Sequence, residues 1–174
     1  YFNASVINIL NDSNINSDNK LDLTGWKLVL NDSIITSNTL SIDFMYSDIG
    51  YYSFINALTY GSLLSDYFVM DRSNIVSSDF DLALFGTMDK IIRYADFSNS
   101  AIDITTNSSV TIDSVITSDS DSFDIESDNL ILRGLNNIDI LTSDLNVSGL
   151  TIEDAIIYSE TPVTWFVNST TDIN

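Results

Sequence analysis

The densest group of potential metal ligands in this sequence is an acidic run at residues 118–128. Within that run, Asp119, Asp121 and Asp124 offer carboxylate oxygens from one short segment, and Ca²⁺ prefers hard oxygen ligands of this kind. The run lacks the glycine and the final glutamate that a helix–loop–helix calcium loop requires. The run therefore predicts a hydrated acidic turn with no cofactor or, as the alternative, an irregular calcium site at these three residues.

Pairs of carboxylates can also serve as the acid and the base of glycoside hydrolysis. The candidates for such a pair are Asp103, Asp113, Asp124 and Asp139. Because most of the 25 acidic residues are aspartates, two carboxylates at a workable separation arise readily by chance. We predict no catalytic residue and keep glycoside cleavage as an alternative activity.

The sequence contains no histidine and no cysteine. Without imidazole or thiol groups, Ser-His-Asp and Cys-His nucleophile activation is excluded. Zinc, haem and iron–sulfur centres lose their usual ligands for the same reason. Ca²⁺ is thus the one cofactor that the composition favours, and stability must come from burial and backbone pairing without disulfides.

Acidic residues outnumber basic ones by 25 to 6, which gives a formal net charge of −19. A phosphate backbone would be repelled by most of this surface, so we expect no nucleic-acid partner. The charge either keeps a solvated surface soluble or makes the rigidity of the fold depend on divalent cations. The hydrophobic content of 44% nevertheless predicts a real core within a single β-rich domain, residues 1–174.

Asn-x-Ser/Thr sequons mark candidate N-glycosylation sites. They occur at Asn3, Asn11, Asn31, Asn107, Asn146 and Asn168. Six sequons are close to chance expectation at this serine and threonine content. Glycosylation is therefore predicted only if the protein is exported through a pathway that attaches glycans.

Short apolar pairs recur at nearly even spacing between 101 and 158, with polar turns between them. Most of these pairs bracket one polar residue, which is the alternation of a half-buried strand. The pairs include Ile102/Ile104, Val110/Ile112, Phe123/Ile125, Leu130/Leu132, Ile138/Ile140, Leu145/Val147, Leu150/Ile152 and Ile156/Tyr158. If every third pair lies on the same side of the coil, Ile102, Phe123 and Leu145 lie above one another in one column along the axis. This predicts coils of three short strands each, with a repeat of about 20–22 residues.

The presence or loss of this period predicts how the chain is divided into segments. Residues 1–46 repeat it, since Ile7 and Leu28 are separated by one such period, and these are predicted to be N-terminal coils. Over 47–97 the alternation weakens and aromatic residues cluster, which predicts an irregular insertion with short helices at 48–58 and 88–95. Regular coils resume over 98–160, and 161–174 would form a C-terminal cap or joining strand.

The turns decide between parallel coils and an antiparallel sandwich. Asn-Gly, Asp-Gly and Gly-Gly, the dipeptides that tight hairpins prefer, do not occur among the 6 glycines. Asn19, Asn38 and Asn129 instead precede strands at equivalent places, and asparagine tolerates the left-handed backbone of a sharp corner. We predict an all-β fold, a right-handed parallel β-helix, with a jelly-roll or other β-sandwich as the alternative.

Residues 99–159 resemble the right-handed β-helix of pectate-lyase-like proteins, adhesin passengers and phage tailspikes. Segments such as Ser-Val-Thr-Ile-Asp-Ser-Val-Ile and Gly-Leu-Thr-Ile-Glu-Asp-Ala-Ile carry this pattern-level resemblance. The resemblance implies the scaffold and an extracellular, surface-exposed use. The Asp-Gly and His-Gly motifs of catalytic members are not present, because the chain has no histidine and no Asp-Gly.

We expect a non-enzymatic structural subunit or fragment of an extracellular filament, adhesin or fibre, on a cell or virion surface. Open strand edges would favour assembly into a homopolymer through the segments Tyr1–Leu10 and Val163–Ile173. The alternative is a carbohydrate-binding or carbohydrate-cleaving β-helix of tailspike type, with a surface glycan as its partner. Polar residues interrupt the apolar stretch 49–70, so no membrane span is expected.

Overall fold

A computed structural model describes the backbone of most of the chain: residues 1–88, 90–113, 115–134, 136–142, 144–153, 155–159, 164–167 and 171–173. Side chains are described for residues 1–77, 79–88, 90–95, 101–113, 115, 124–134 and 146–153. The regular secondary structure in these ranges is entirely β.

Twelve strands form one sheet that winds along the chain. The strands are β1 (Phe2–Gly50), β2 (Phe54–Asp71), β3 (Asn74–Leu84), β4 (Lys90–Arg93), β5 (Asp96–Thr105), β6 (Ser109–Asp113), β7 (Ile116–Arg133), β8 (Asn136–Thr142), β9 (Asp144–Ile152), β10 (Ala155–Ser159), β11 (Thr164–Val167) and β12 (Thr171–Ile173). Three strands, β1, β2 and β7, continue through corners of the coil. Each of these strands therefore forms more than one side of the coil.

All pairings between these strands are parallel, and each joins residues one coil apart. One ladder runs through five successive coils, at Ile42, Leu63, Leu82, Ile102 and Phe123. Parallel neighbours at this regular interval confirm the predicted parallel β-helix. They exclude the sandwich, whose neighbouring strands are antiparallel.

The register corrects one predicted column. Phe123 lies beside Ile102 as expected, but Leu145 is aligned with Ile125 instead of Phe123. The residues aligned at this point are therefore 20 positions apart, two fewer than the predicted column requires. Apolar alternation hides such a shift, because alternate positions in a strand point to the same face.

Side chains that alternate inwards form the core along the axis of the coils. Ile35, Ile55 and Ile75 are aligned in successive coils, and all three are fully buried. Ile42 and Phe44 continue this arrangement on the next side of the coil. Burying each such side chain contributes about 1.5–3 kcal/mol, so the core extends for as long as the coils stay in register.

The middle of the chain continues the coils in place of the predicted irregular segment with helices. Residues 54–58 belong to β2 and 90–93 to β4, and both pair in register with their neighbours. The helices predicted at 48–58 and 88–95 were wrong. Their apolar residues are buried at a period of two, as Ile55 and Ala57 show, so packing against adjacent coils overrides the weak helical propensity.

The corners between coils use left-handed backbone at unexpected residue types. Positive φ angles occur at Asp32 (49°), Tyr51 (47°), Tyr52 (60°), Arg72 (52°) and Tyr94 (50°). The neighbouring coil fixes these corners, since the Tyr51 amide donates to the Asp71 carbonyl at 3.1 Å. The asparagines predicted for this role, at 19, 38 and 129, do not have positive φ.

A serine follows each early corner, once in every coil. Ser33, Ser53 and Ser73 are buried, and their hydroxyls donate to the carbonyls of Asn31, Gly50 and Asp71 at 2.8, 2.7 and 3.0 Å. Each bond gives the buried hydroxyl an acceptor within its own corner. Ser13 occupies the same place one coil earlier and donates to Leu10.

Candidate functional site

The residues predicted to bind calcium lie in β7. Asp124 is half-buried and directed outwards, whereas the side chains of Asp119 and Asp121 lie outside the described residues. Where side chains are described, no group of three or more acidic residues is arranged to hold a metal ion. The calcium site at these residues therefore stays a prediction.

Asp103 and Asp124 face outwards from adjacent coils at aligned positions. Together with Thr105, Glu126 and Asn146 they line an open cleft of about 250 Å³. Burial raises the pKa of Asp103 above 3.8, and the nearby charge of Asp124 raises this pKa further. Of the other candidates for an acid–base pair, Asp113 instead contacts Arg133 at 3.0 Å, and Asp139 has no described side chain.

The sequons differ in accessibility. Asn3, Asn11, Asn107 and Asn146 are exposed, so a glycan could be attached at each without disturbing the core. Asn31 is half-buried, and Ser33 of its sequon is buried in a corner. Asn168 lies outside the described residues. Glycosylation at these positions stays a prediction.

An aromatic ladder stands on the outer surface. Trp26, Tyr46 and Tyr67 come from successive coils, and Tyr46 is aligned with Tyr67. The ring centroids are 5.3 and 5.6 Å apart, with tilted planes. Such contacts stabilise aromatic pairs by about 0.5–1.5 kcal/mol beyond burial, so they help to hold three successive coils in register.

A second ladder lies at the corner. The guanidinium of Arg72 is 5.9 Å from the ring centre of Tyr51 and 5.5 Å from that of Tyr94. Each of these cation–π contacts contributes about 0.5–1 kcal/mol at an exposed site. The three residues come from successive coils, which makes the corner another link along the axis.

A third outward column carries opposite charges in alternation. Its aligned members are Gly50, Asp71, Arg93, Asp113 and Arg133. Arg93 Nε is 3.3 Å from Asp71 Oδ2, and Arg133 Nε is 3.0 Å from Asp113 Oδ2. Two of the six basic residues of the chain therefore offset acidic residues in adjacent coils.

Gly50 is the member of this third column that has no side chain, and it lies beside a gap, which we name the Gly50 cleft. The cleft has a volume of about 320 Å³, and its walls include Asn31, Asp48, Tyr51, Tyr67, Asp71 and Arg93. A Cβ atom placed on Gly50 would meet nothing within 4 Å. The gap therefore exists because this position has no side chain.

Three buried polar atoms in the walls of the Gly50 cleft have no hydrogen-bond partner. They are Asn31 Oδ1, Asp71 Oδ1 and Arg93 Nε. The Nε atom is near Asp71 Oδ2, but the two are not aligned for a hydrogen bond. Because a buried polar group without a partner costs about 1–3 kcal/mol, three such atoms around one opening are the feature most suggestive of a ligand.

Sequence reasoning missed this cleft, although its signal is present. Asn31, Gly50, Asp71 and Arg93 follow one another at intervals of one coil. Writing the sequence in rows of one coil would have shown the glycine within a polar column. The missing hydrogen bonds, in contrast, depend on side-chain orientation and have no signal in the sequence.

One charged residue occupies a core position. Lys90 is aligned between Phe68 and Val110 in the inward column, and it is fully buried. Its ammonium group donates to the Met88 carbonyl and lies 3.9 Å from Asp66 Oδ1. This internal ion pair joins the side chains of β2 and β4.

The fold and the ladders define the chain as a parallel β-helix. Comparisons with protein-family models, with curated proteins and with solved structures find no match to it. Among the residues that the structure describes, no helix is long and apolar enough to cross a membrane.

Proposed function

We propose that the protein is a non-enzymatic structural element of an extracellular or surface-exposed fibre or adhesin. The observation that carries this proposal is the set of contacts that run along the axis on both sides of the sheet. Buried ladders such as Ile35, Ile55 and Ile75 continue inside, while aromatic and charged ladders continue outside. An element built in this way resists bending and separation of its coils.

Self-association is the second part of the proposal. Tyr1, Phe2 and Val6 in the predicted joining segment have exposed fractions of 76%, 53% and 50%. At the other end, β11 and β12 both pair with β9. An exposed apolar strand favours addition of a strand from another copy, so we propose axial stacking of copies into a homopolymer.

Electron microscopy of the purified chain at moderate ionic strength tests this function. Salt is included because a net charge of −19 opposes association and is screened by ions. We expect ordered fibres of uniform width, which Val6→Lys abolishes because it places a charge in the joining strand. Met45→Lys is the matched control, since Met45 is also an exposed apolar residue, at 38%, but lies in a later coil.

Dispersed single molecules at every salt concentration would contradict the proposal. Equal fibre formation by the Val6→Lys and Met45→Lys variants would reject the joining segment. Circular dichroism of both variants confirms that each one retains its β-structure before imaging.

A further inference from the structure

The Gly50 cleft contains unused hydrogen-bonding groups of both kinds. Asn31 Oδ1 and Asp71 Oδ1 are acceptors, whereas Arg93 Nε is a donor. A hydroxyl group both donates and accepts, so a ligand that carries several hydroxyl groups matches all three atoms. A small reorientation of these side chains towards such a ligand would sacrifice no existing hydrogen bond of these atoms.

The charges around the cleft limit the ligand further. Asp48 and Asp71 face one basic residue, Arg93, and the whole chain carries a net charge of −19. An anionic ligand would therefore be repelled both locally and over a longer range. A neutral ligand avoids this repulsion.

Aromatic rings complete the walls. Tyr51 is 57% exposed, and Tyr67 ends the aromatic ladder beside the opening. Tyrosine rings give apolar surface next to a polar hydroxyl, which suits the C–H and O–H groups of a sugar ring. The volume of about 320 Å³ is at the small end of the range of ligand sites, about 300–1,000 Å³.

We propose that the Gly50 cleft is a binding site for a neutral saccharide, with Asn31, Asp71 and Arg93 as its hydrogen-bonding residues. Tyr51 and Tyr67 form the apolar walls of this site. The proposal goes beyond the structural role and does not depend on it, because the cleft belongs to a single molecule.

The test is binding of the dispersed full chain to immobilised neutral, acidic and amino-sugar saccharides. The strongest neutral saccharide is then titrated in solution by calorimetry. We expect binding to neutral saccharides and at least tenfold weaker binding by Gly50→Leu, whose side chain fills the cleft. The matched control is Ser62→Leu, which adds similar bulk at an outward position of β2 away from the cleft.

Asn31→Ala is a second variant that keeps the test valid if Gly50→Leu fails to fold. Asn31 Oδ1 has no hydrogen bond, so its loss should leave the melting temperature close to that of the parent while binding weakens. Binding to no saccharide, or to acidic or amino sugars alone, would overturn the proposal. Unchanged affinity in the folded Gly50→Leu variant, or in Asn31→Ala if that variant alone folds, would overturn it as well.

Discussion

At the residue scale, Asp103 is a carboxylate whose charge the folded state disfavours. Burial and the neighbouring Asp124 raise the pKa of Asp103 above 3.8, so the folded state binds this proton more tightly than the unfolded chain does. Ionised Asp103 therefore destabilises the fold at neutral pH. This destabilising contribution of Asp103 is lost as the pH falls through its raised pKa towards 3.8.

We predict that Asp103→Asn raises the melting temperature at pH 7 and that this gain disappears once Asp103 is protonated in the parent. Asp43→Asn is the matched control, because Asp43 faces Leu64 in the adjacent coil of the same ladder. Thermal unfolding from pH 3 to pH 8 provides the measurement. An equal gain from both substitutions would show that net charge alone, without the Asp103–Asp124 pair, is responsible.

Tyr60 provides a second prediction at this scale. Its hydroxyl donates to Asp81 Oδ2 at 2.8 Å, and this bond is the main reason why the pKa of Tyr60 lies above 10.0. The neutral phenol is favoured in the folded state, so its contribution to stability is complete below pH 10 and is lost as the pH rises through the raised pKa. We expect Asp81→Asn to lower the pKa of Tyr60 in a tyrosine titration followed by NMR. No change in that titration would show that the bond does not form in solution.

Residue-level reasoning was least successful at the corners. The three asparagines for which left-handed backbone was predicted do not have it. The structure places it at Asn11, but also at Tyr51, Arg72 and Tyr94. Single-residue propensity favours asparagine there. Backbone hydrogen bonds to the adjacent coil fix the corner instead, and contacts between residues a whole coil apart are invisible in a local sequence window.

At the scale of strands, the spacing of apolar pairs was sufficient to predict parallel coils. Ile102 and Ile104 are aligned with Phe123 and Ile125, as the predicted coil length required. The same reasoning failed over 47–97, where serine, lysine and aromatic residues occupy core positions. Lys90 takes the place of an aliphatic residue in the inward column, which obscures the pattern although the strand pairing persists.

The ion pair between Lys90 and Asp66 gives a prediction for β2 and β4. We expect Asp66→Asn to destabilise the protein by about 3 kcal/mol, because it removes a carboxylate charge 3.9 Å from a buried ammonium group. Replacing the lysine as well, in Asp66→Asn with Lys90→Met, should recover most of this loss, since methionine fits an apolar column. Chemical denaturation of both variants and the parent measures these differences.

Equal destabilisation by the single and the double substitution would contradict this account. Asp22→Asn serves as the control. Asp22 pairs with Lys20 at 3.0 Å, but the lysine side chain is 62% exposed, so its loss should change stability by less than about 1 kcal/mol.

At the scale of the whole molecule, the coils form one continuous stack with a net charge of −19. Cohesion comes from neighbouring coils, through buried ladders and through the outer contacts of Tyr46, Arg72 and Arg93. The sequence predicted this architecture because apolar alternation and coil length are recorded in residue types. It did not predict the Gly50 cleft, which arises where a glycine leaves open space next to polar atoms of Asn31, Asp71 and Arg93 that have no hydrogen-bond partner.

The central claim is that successive coils lie over each other in register. Spin labels at Asp43→Cys and Asp124→Cys test it directly, because the chain has no native cysteine and these positions are four ladder steps apart. At a spacing of about 4.8 Å per step, pulsed electron resonance should give one narrow distance distribution near about 19 Å. A broad distribution, or a distance that differs by more than about 10 Å, would contradict the parallel stack.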